Sequence, residues 1–259
     1  MLSVTSTVVS GLNNVQSQIN SVQTQLTTGK KTLDPAQQGV VTRLSSQVVG
    51  YTAVDNNIKQ AQSVINVAQT GLSSIASTIT QMQDLANKAK SGTLNSVDLA
   101  SLQATFSSLA TQVGKIGANA SVNGANLLQG TSGLTVQTGL AAGDTTVVAS
   151  TDIAALATTL GALDISTGAA AAVTALDTAL SSISAAQSTL SASSVGLTSQ
   201  ATQAESLVSN LQATVDSIQK PDAAALQAQL TQLNNQQAID FYLINQINTE
   251  SQAMLSIFR

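Results

Sequence analysis

Residues 173–218 read VTALDTALSSISAAQSTLSASSVGLTSQATQAESLVSNLQATVDSI, and this stretch decides the fold. Positions 173, 176, 180, 183, 187, 190, 194, 197, 201, 204, 208, 211, 215 and 218 alternate steps of three and four without a break. Of these 14 positions 12 are apolar, Gln187 and Ser194 being the exceptions. Side chains three and four apart share one face of an α-helix, and a sustained 3–4 alternation is the seam of a coiled coil. At 1.5 Å per residue the expected helix is roughly 70 Å long.

The same spacing appears on both sides of this stretch. Val8, Leu12, Val15, Ile19, Val22 and Leu26 mark an N-terminal helix that Gly29 ends. Gly29, Pro35 and Gly39 then predict an extended connector over 29–43. Helical spacing resumes at Leu44, Val48, Tyr51, Ile58 and Ile65 and continues to Ala89, where Ser91-Gly92 closes it. Ser96 is the expected N-cap of the next helix, with Asp98 in its positive first turn. Leu99, Leu102, Phe106, Leu109, Val113 and Ile116 form that helix's stripe. Beyond Pro221, Leu226, Leu230, Leu233, Phe241, Ile244, Ile247, Met254 and Phe258 make a looser stripe.

Between Gly117 and Thr167 the period changes. Leu134-Thr-Val-Gln-Thr138 and Thr145-Thr-Val-Val148 alternate with period two about Ala-Ala-Gly-Asp, which predicts a β-hairpin within about 131–150. Residues 152–163 are expected to form a short helix. The expected fold is therefore mostly α: a long antiparallel coiled-coil helix bundle with one β-hairpin, its terminal helices pairing as a separate layer. The expected boundaries are 1–28 with 222–259 for the terminal layer, 29–43 for the connector and 44–220 for the bundle.

The bundle can bury its own stripes. Two thin terminal stripes of Val and Leu make too small a core to hold alone in water. Val8, Leu12, Val15, Ile19, Val22, Leu26, Leu226, Leu230, Leu233, Phe241, Ile244, Ile247, Met254 and Phe258 are accordingly expected to form a polymerisation interface with other copies. The rest of the surface is Ser, Thr, Asn and Gln; charged residues are 8% of the chain. Uncharged faces let many copies stack without multiplying like-charge repulsion.

Composition also excludes function classes. A net charge of −4 excludes the basic surface that phosphate contacts require, so no nucleic acid partner is expected. The absence of His and Cys removes the commonest general base, thiol nucleophiles and most transition-metal sites. Carboxylates are scattered, and no Gly-rich phosphate loop precedes a helix. No catalytic, cofactor-binding or metal-binding residue is expected, and the protein is read as no enzyme. No run of ~18 apolar residues appears, so no membrane insertion is expected. The N-terminus shows neither a basic n-region nor a continuous apolar core, so a secretory signal peptide is not expected.

Six short segments carry a family resemblance. Gln25-Leu-Thr-Thr-Gly-Lys30 resembles the "RLSSGLR" step of bacterial flagellins, and Val67-Ala-Gln-Thr-Gly-Leu72 their "AQTAEGAL". Leu85-Ala-Asn-Lys-Ala-Lys-Ser-Gly-Thr93 is similar to "LAVQAANGT", and Ser121-Val-Asn-Gly-Ala-Asn-Leu-Leu128 to "TxFNGxxLL". Leu134-Thr-Val-Gln-Thr-Gly139 is similar to "LTIQVG", and Met254-Leu-Ser-Ile-Phe-Arg259 to "VLSLLR". The segments occur in the family's order over nearly the whole chain.

The resemblance implies a short flagellin lacking outer domains, a structural subunit of the extracellular flagellar filament that serves motility. It implies export through the flagellar type III apparatus, a cytosolic chaperone on the C-terminal segment, and flagellar cap and junction proteins as partners. Asp34-Pro35 beside Thr28-Gly29-Lys30 resembles instead the hook–filament junction proteins, relatives that carry an "STGKRVxxPSDDP" run; that is the alternative. A secreted helical adhesin or translocator is a third reading. The resemblance also implies altered contacts with the innate Toll-like receptor for flagellin: the family's two Arg positions fall on Gln81 and Gln83, and its acidic position falls near Thr105.

Overall fold

Asp34 and Pro35 set the start of the longest helix. Asp34 Oδ1 accepts the Gln37 N–H at 2.7 Å and its carbonyl accepts the Gln38 N–H at 2.9 Å. Proline at the first helical position loses only an N–H that has no partner there, and its fixed φ suits the helix. This motif corrects the expected 29–43 connector. Helix runs from Pro35, so only residues 29–34 are non-helical, with Gly29 turning the chain at φ +63°.

The computed structural model describes the backbone of residues 2–257 and the side chains of residues 6–254. The elements are α1 (Leu2–Thr28), α2 (Pro35–Lys90), α3 (Ser96–Asn119), β1 (Leu134–Gln137), β2 (Thr145–Val148), α4 (Ile153–Gly161), α5 (Ile165–Gln219) and α6 (Ala223–Ile257). They divide into two compact units, Met1–Ser45 with Leu211–Arg259, and Ser46–Asn210. The division falls inside α2 and α5 rather than at the breaks near Pro35 and Pro221.

In the Ser46–Asn210 unit α2 and α5 run antiparallel, as four side-chain bonds show. Lys59 meets Glu205 at 3.0 Å, Gln62 meets Thr198 at 2.9 Å, Gln187 meets Ser73 at 3.2 Å and Gln83 meets Asp177 at 2.6 Å. The Gln187 bond explains one polar exception in the 173–218 stripe. Between these rungs Ile58, Ile65, Leu72, Ile75, Ile79 and Met82 of α2 join Leu176, Ile183, Leu190 and Leu197 of α5 in one buried cluster. Each such aliphatic side chain contributes about 1.5–3 kcal/mol through burial. Within Ile165–Met254, a range that includes the break between α5 and α6, one 18-residue window is apolar enough to cross a membrane by length and composition alone. Within this unit, however, the α5 seam is buried against α2.

Asn95, not Ser96, caps α3: its Oδ1 accepts the N–H groups of Val97 and Asp98, each at 2.9 Å. Ser96 is the first helical residue. Asparagine's short amide reaches those free donors while its own backbone stays extended. Glycines on α3 let α4 approach closely; a Cβ on Gly117 would lie 2.7 Å from Ile153 Cγ2. Asp152 caps α4 through the Ala155 N–H at 3.0 Å.

β1 and β2 form the expected antiparallel hairpin, with Leu134 opposite Val148 and Gln137 opposite Thr145. Val136 and Val148 are buried, while Thr135 and Val147 are exposed, the alternation of a sheet with one dry face. Thr146, on the inner face, exchanges hydrogen bonds with Gln200 of α5.

Candidate functional site

The terminal helices α1 and α6 pair within the chain. Val15, Ile19, Val22 and Leu233 are buried between them, and Leu26, Leu226 and Leu230 pack against that seam half-buried. Gln237 Nε2 of α6 donates to Gln16 Oε1 of α1. At the other end of the pair the Lys31 N–H, just past α1, donates at 2.8 Å to the carbonyl of Gln219, the residue that ends α5 shortly before α6. Residue numbers fall along one strand of these contacts as they rise along the other, so the pair is antiparallel. Asp222 starts α6 by accepting the Ala224 and Ala225 N–H groups at 3.0 Å each, just past Pro221.

The structure thus divides the expected polymerisation stripe. Val15, Ile19, Val22, Leu26, Leu226, Leu230 and Leu233 are spent largely on each other and are not an open surface for another copy. Val8, Leu12, Ile244 and Ile247 are half-buried, and Phe241 and Met254 are exposed, at 50% and 44%. Phe258 lies outside the described residues. The division has a simple cause: a stripe on one helix face is satisfied by a single neighbour, and α1 and α6 supply one to each other.

A second set of side chains on α6 is left uncovered, and sequence reasoning passed over it. Ile239, Tyr242 and Leu243 are 59%, 68% and 42% exposed. Their spacing of three and four places them on one face, turned away from the seam residues Leu226, Leu230 and Leu233. The signal was present in Ile239-Asp240-Phe241-Tyr242-Leu243-Ile244, a run with one polar residue in six. A helix apolar on every side is one that is buried on every side. A single 3–4 stripe accounts for only one face of this run.

Elsewhere the polar groups serve structure. Lys59 bridges Asp55 at 2.7 Å and Glu205 at 3.0 Å. The hydrogen bond from Asp55 first, and then that from Glu205, hold the Lys59 ammonium above its ordinary pKa. Asp164, just before α5, accepts from the Ser166 hydroxyl and N–H and the Thr167 hydroxyl, which hold its carboxyl below the usual carboxylate range. Among the described residues no group of three or more His, Cys, Asp or Glu could hold a metal ion. Gln81 and Thr105 are exposed; Gln83 is tied by its amide to Asp177.

The family model for the bacterial flagellin N-terminal helical region matches residues 2–133, half of the chain. The chain belongs to the bacterial flagellin family. It is 24% identical over 140 residues to a flagellin of Salmonella muenchen, covering 52% of this chain and 28% of that protein. Flagellin FljO of Caulobacter vibrioides is 31% identical over 130 residues, 49% of this chain and 45% of that protein. The chain thus spans less than half the length of these relatives. A crystal structure of Bacillus cereus flagellin superposes with a TM-score of 0.51 at 26% identity, over 57% of this chain and 88% of that one.

Proposed function

We propose that this flagellin-family chain is a structural subunit that polymerises with copies of itself into an extracellular bacterial flagellar filament. The observation that carries the reading is the uncovered face of α6. Ile239, Tyr242 and Leu243 form a second apolar stripe on a helix whose first stripe is already satisfied by α1. These side chains are already partly covered, so burying the rest of each contributes on the order of 1 kcal/mol, and the stripe stabilises association wherever a complementary surface meets it. A second copy fits because the surrounding surface is mostly uncharged Ser, Thr, Asn and Gln, with Asp240 and Glu250 the nearby charges on α6, so little repulsion builds up when copies stack. Met254, eleven residues beyond Leu243, continues this face, while the exposed Phe241 projects from the other side of α6.

In this reading the chain is not an enzyme, and its partners are other copies, the flagellar cap and junction proteins and an export chaperone on the C-terminal segment. The interface comprises Ile239, Phe241, Tyr242, Leu243 and Met254 with the half-buried Val8, Leu12, Ile244 and Ile247. Gln81, Gln83 and Thr105 stand where the family resemblance places charged contacts for the innate receptor, so recognition by that receptor is weak. The test is negative-stain microscopy of the purified protein after sulfate addition. Uniform helical filaments are expected; persistent monomers over a range of concentrations would overturn the reading.

A further inference from the structure

The loop after α3 holds the sequence's single Asn-Gly step, Asn123-Gly124. Val122 and Ala125 exchange two 2.9 Å backbone hydrogen bonds around it. Both central residues have positive φ, 51° at Asn123 and 83° at Gly124. Asn-Gly is the pair that such a mirror-image turn favours, since both positions must enter the left-handed region. The fold therefore asks, at this point, for a dipeptide with a chemical liability. An asparagine side-chain amide carbon can be attacked by the next backbone nitrogen, and glycine has no side chain to obstruct the approach.

Three observations place that reaction here rather than elsewhere. Asn123 and Gly124 are both exposed, so water reaches the site. Neither the Asn123 side chain nor the Gly124 N–H takes part in a hydrogen bond among the described residues. Every other asparagine is constrained. Asn126 donates to the Gly117 carbonyl at 2.9 Å and accepts the Leu128 N–H at 2.7 Å, while Asn95 caps α3. The remaining ones lie in helices, where the backbone ladder engages the neighbouring N–H groups.

We propose that Asn123 is a site of spontaneous deamidation and isomerisation. The Gly124 nitrogen attacks Asn123 Cγ; an N–Cγ bond forms, the Cγ–Nδ2 bond breaks, and the side-chain nitrogen leaves as ammonia with the displaced proton. Water then adds to either carbonyl of the five-membered imide and opens it to aspartate or isoaspartate. No oxidant or reductant is involved. Ring closure needs rotation about the Asn123 Cα–C bond, which a turn closed by two hydrogen bonds permits when it opens. Aspartate adds one negative charge. Isoaspartate routes the main chain through the side-chain carbon, lengthening the turn so that the Val122–Ala125 pairing no longer fits. Val122 and Ala125 pack against the bundle core and line a groove of about 470 Å³ beside β1, so the change loosens that end of the unit.

The test is peptide mapping by mass spectrometry of the full chain, incubated for days at body temperature in mildly alkaline buffer, with isoaspartate methyltransferase labelling as a second readout. Acid forms should accumulate at Asn123 faster than at every other asparagine, with isoaspartate among them. Asn123→Gly keeps a turn-competent pair and should abolish the methyltransferase signal; Gly124→Ala should slow the conversion several-fold. An intact Asn123 under these conditions, or conversion no faster than at the helical asparagines, would overturn the proposal. So would a methyltransferase signal undiminished in Asn123→Gly.

Discussion

Leu140, in the loop joining β1 to β2, places its Cδ2 atom 2.6 Å from where a Cβ on Gly50 of α2 would stand. The hairpin loop thus rests against bare helix backbone, and Gly50 makes the approach possible. Gly50→Val adds a stiff branched side chain in that space and is expected to destabilise the Ser46–Asn210 unit by about 1–3 kcal/mol. Gly50→Ala gains up to ~1 kcal/mol of helix propensity, which offsets the milder contact. Denaturant unfolding checks both, and Leu140→Ala should rescue Gly50→Val in a double-mutant cycle.

The Asp55–Lys59–Glu205 cluster makes stability depend on alkaline pH. Lys59 has a raised pKa in the fold, above the ordinary 10.5. Its contribution is fully present below the unfolded value and is lost as pH rises through the folded one. Lys59→Met should therefore lose stability at neutral pH, partly because Asp55 is buried and its Oδ1 already has no hydrogen-bond partner. The gap between wild type and variant should narrow above about pH 10. Urea unfolding of both proteins across that range is the measurement.

Asp164 gives the opposite dependence. Its carboxyl is held below the ordinary 3.8 by Ser166 and Thr167, so its contribution is present above that value and lost as pH falls through the folded one. Asp164→Ala should be less stable than wild type at neutral pH. The two should converge below about pH 3, as followed by thermal unfolding.

The receptor reading predicts a weak agonist. In a reporter-cell assay the protein should require a far higher concentration than a typical enterobacterial flagellin, because Gln81 and Gln83 cannot make charge-assisted bonds. Equal potency would contradict it. Gln81→Arg should raise the response, since residue 81 is exposed. Gln83→Arg should help less, because Asp177 lies within hydrogen-bond distance of that side chain and would hold the new charge.

Helices, hairpin and seams were legible in the sequence because each rests on a period that burial enforces. The 173–218 stripe predicted α5, and alternation about Ala-Ala-Gly-Asp predicted β1 and β2. Boundaries were less legible where one residue has two structural uses. Pro35 reads as a breaker, yet Asp34 caps the helix that Pro35 begins. Ser96 and Asn95 are both good caps, and only geometry shows that Asn95 reaches the donors. The candidate interface was half legible. Apolar spacing located the terminal helices, but spacing alone does not reveal which stripe finds a partner inside the chain. That depends on α1 meeting α6 through Ile19 and Leu233, a contact between residues far apart in sequence.

The central claim is that the face of α6 bearing Tyr242 and Leu243, rather than the α1–α6 seam, is what other copies cover. Its most direct test is sulfate-induced assembly of Tyr242→Asp and Leu243→Asp, watched by sedimentation and negative-stain microscopy, with circular dichroism on the unassembled chains. A charge buried between subunits costs several kcal/mol, so both variants should keep wild-type helix content and remain in the supernatant without filaments. Filaments of normal yield and shape from both variants would contradict the account.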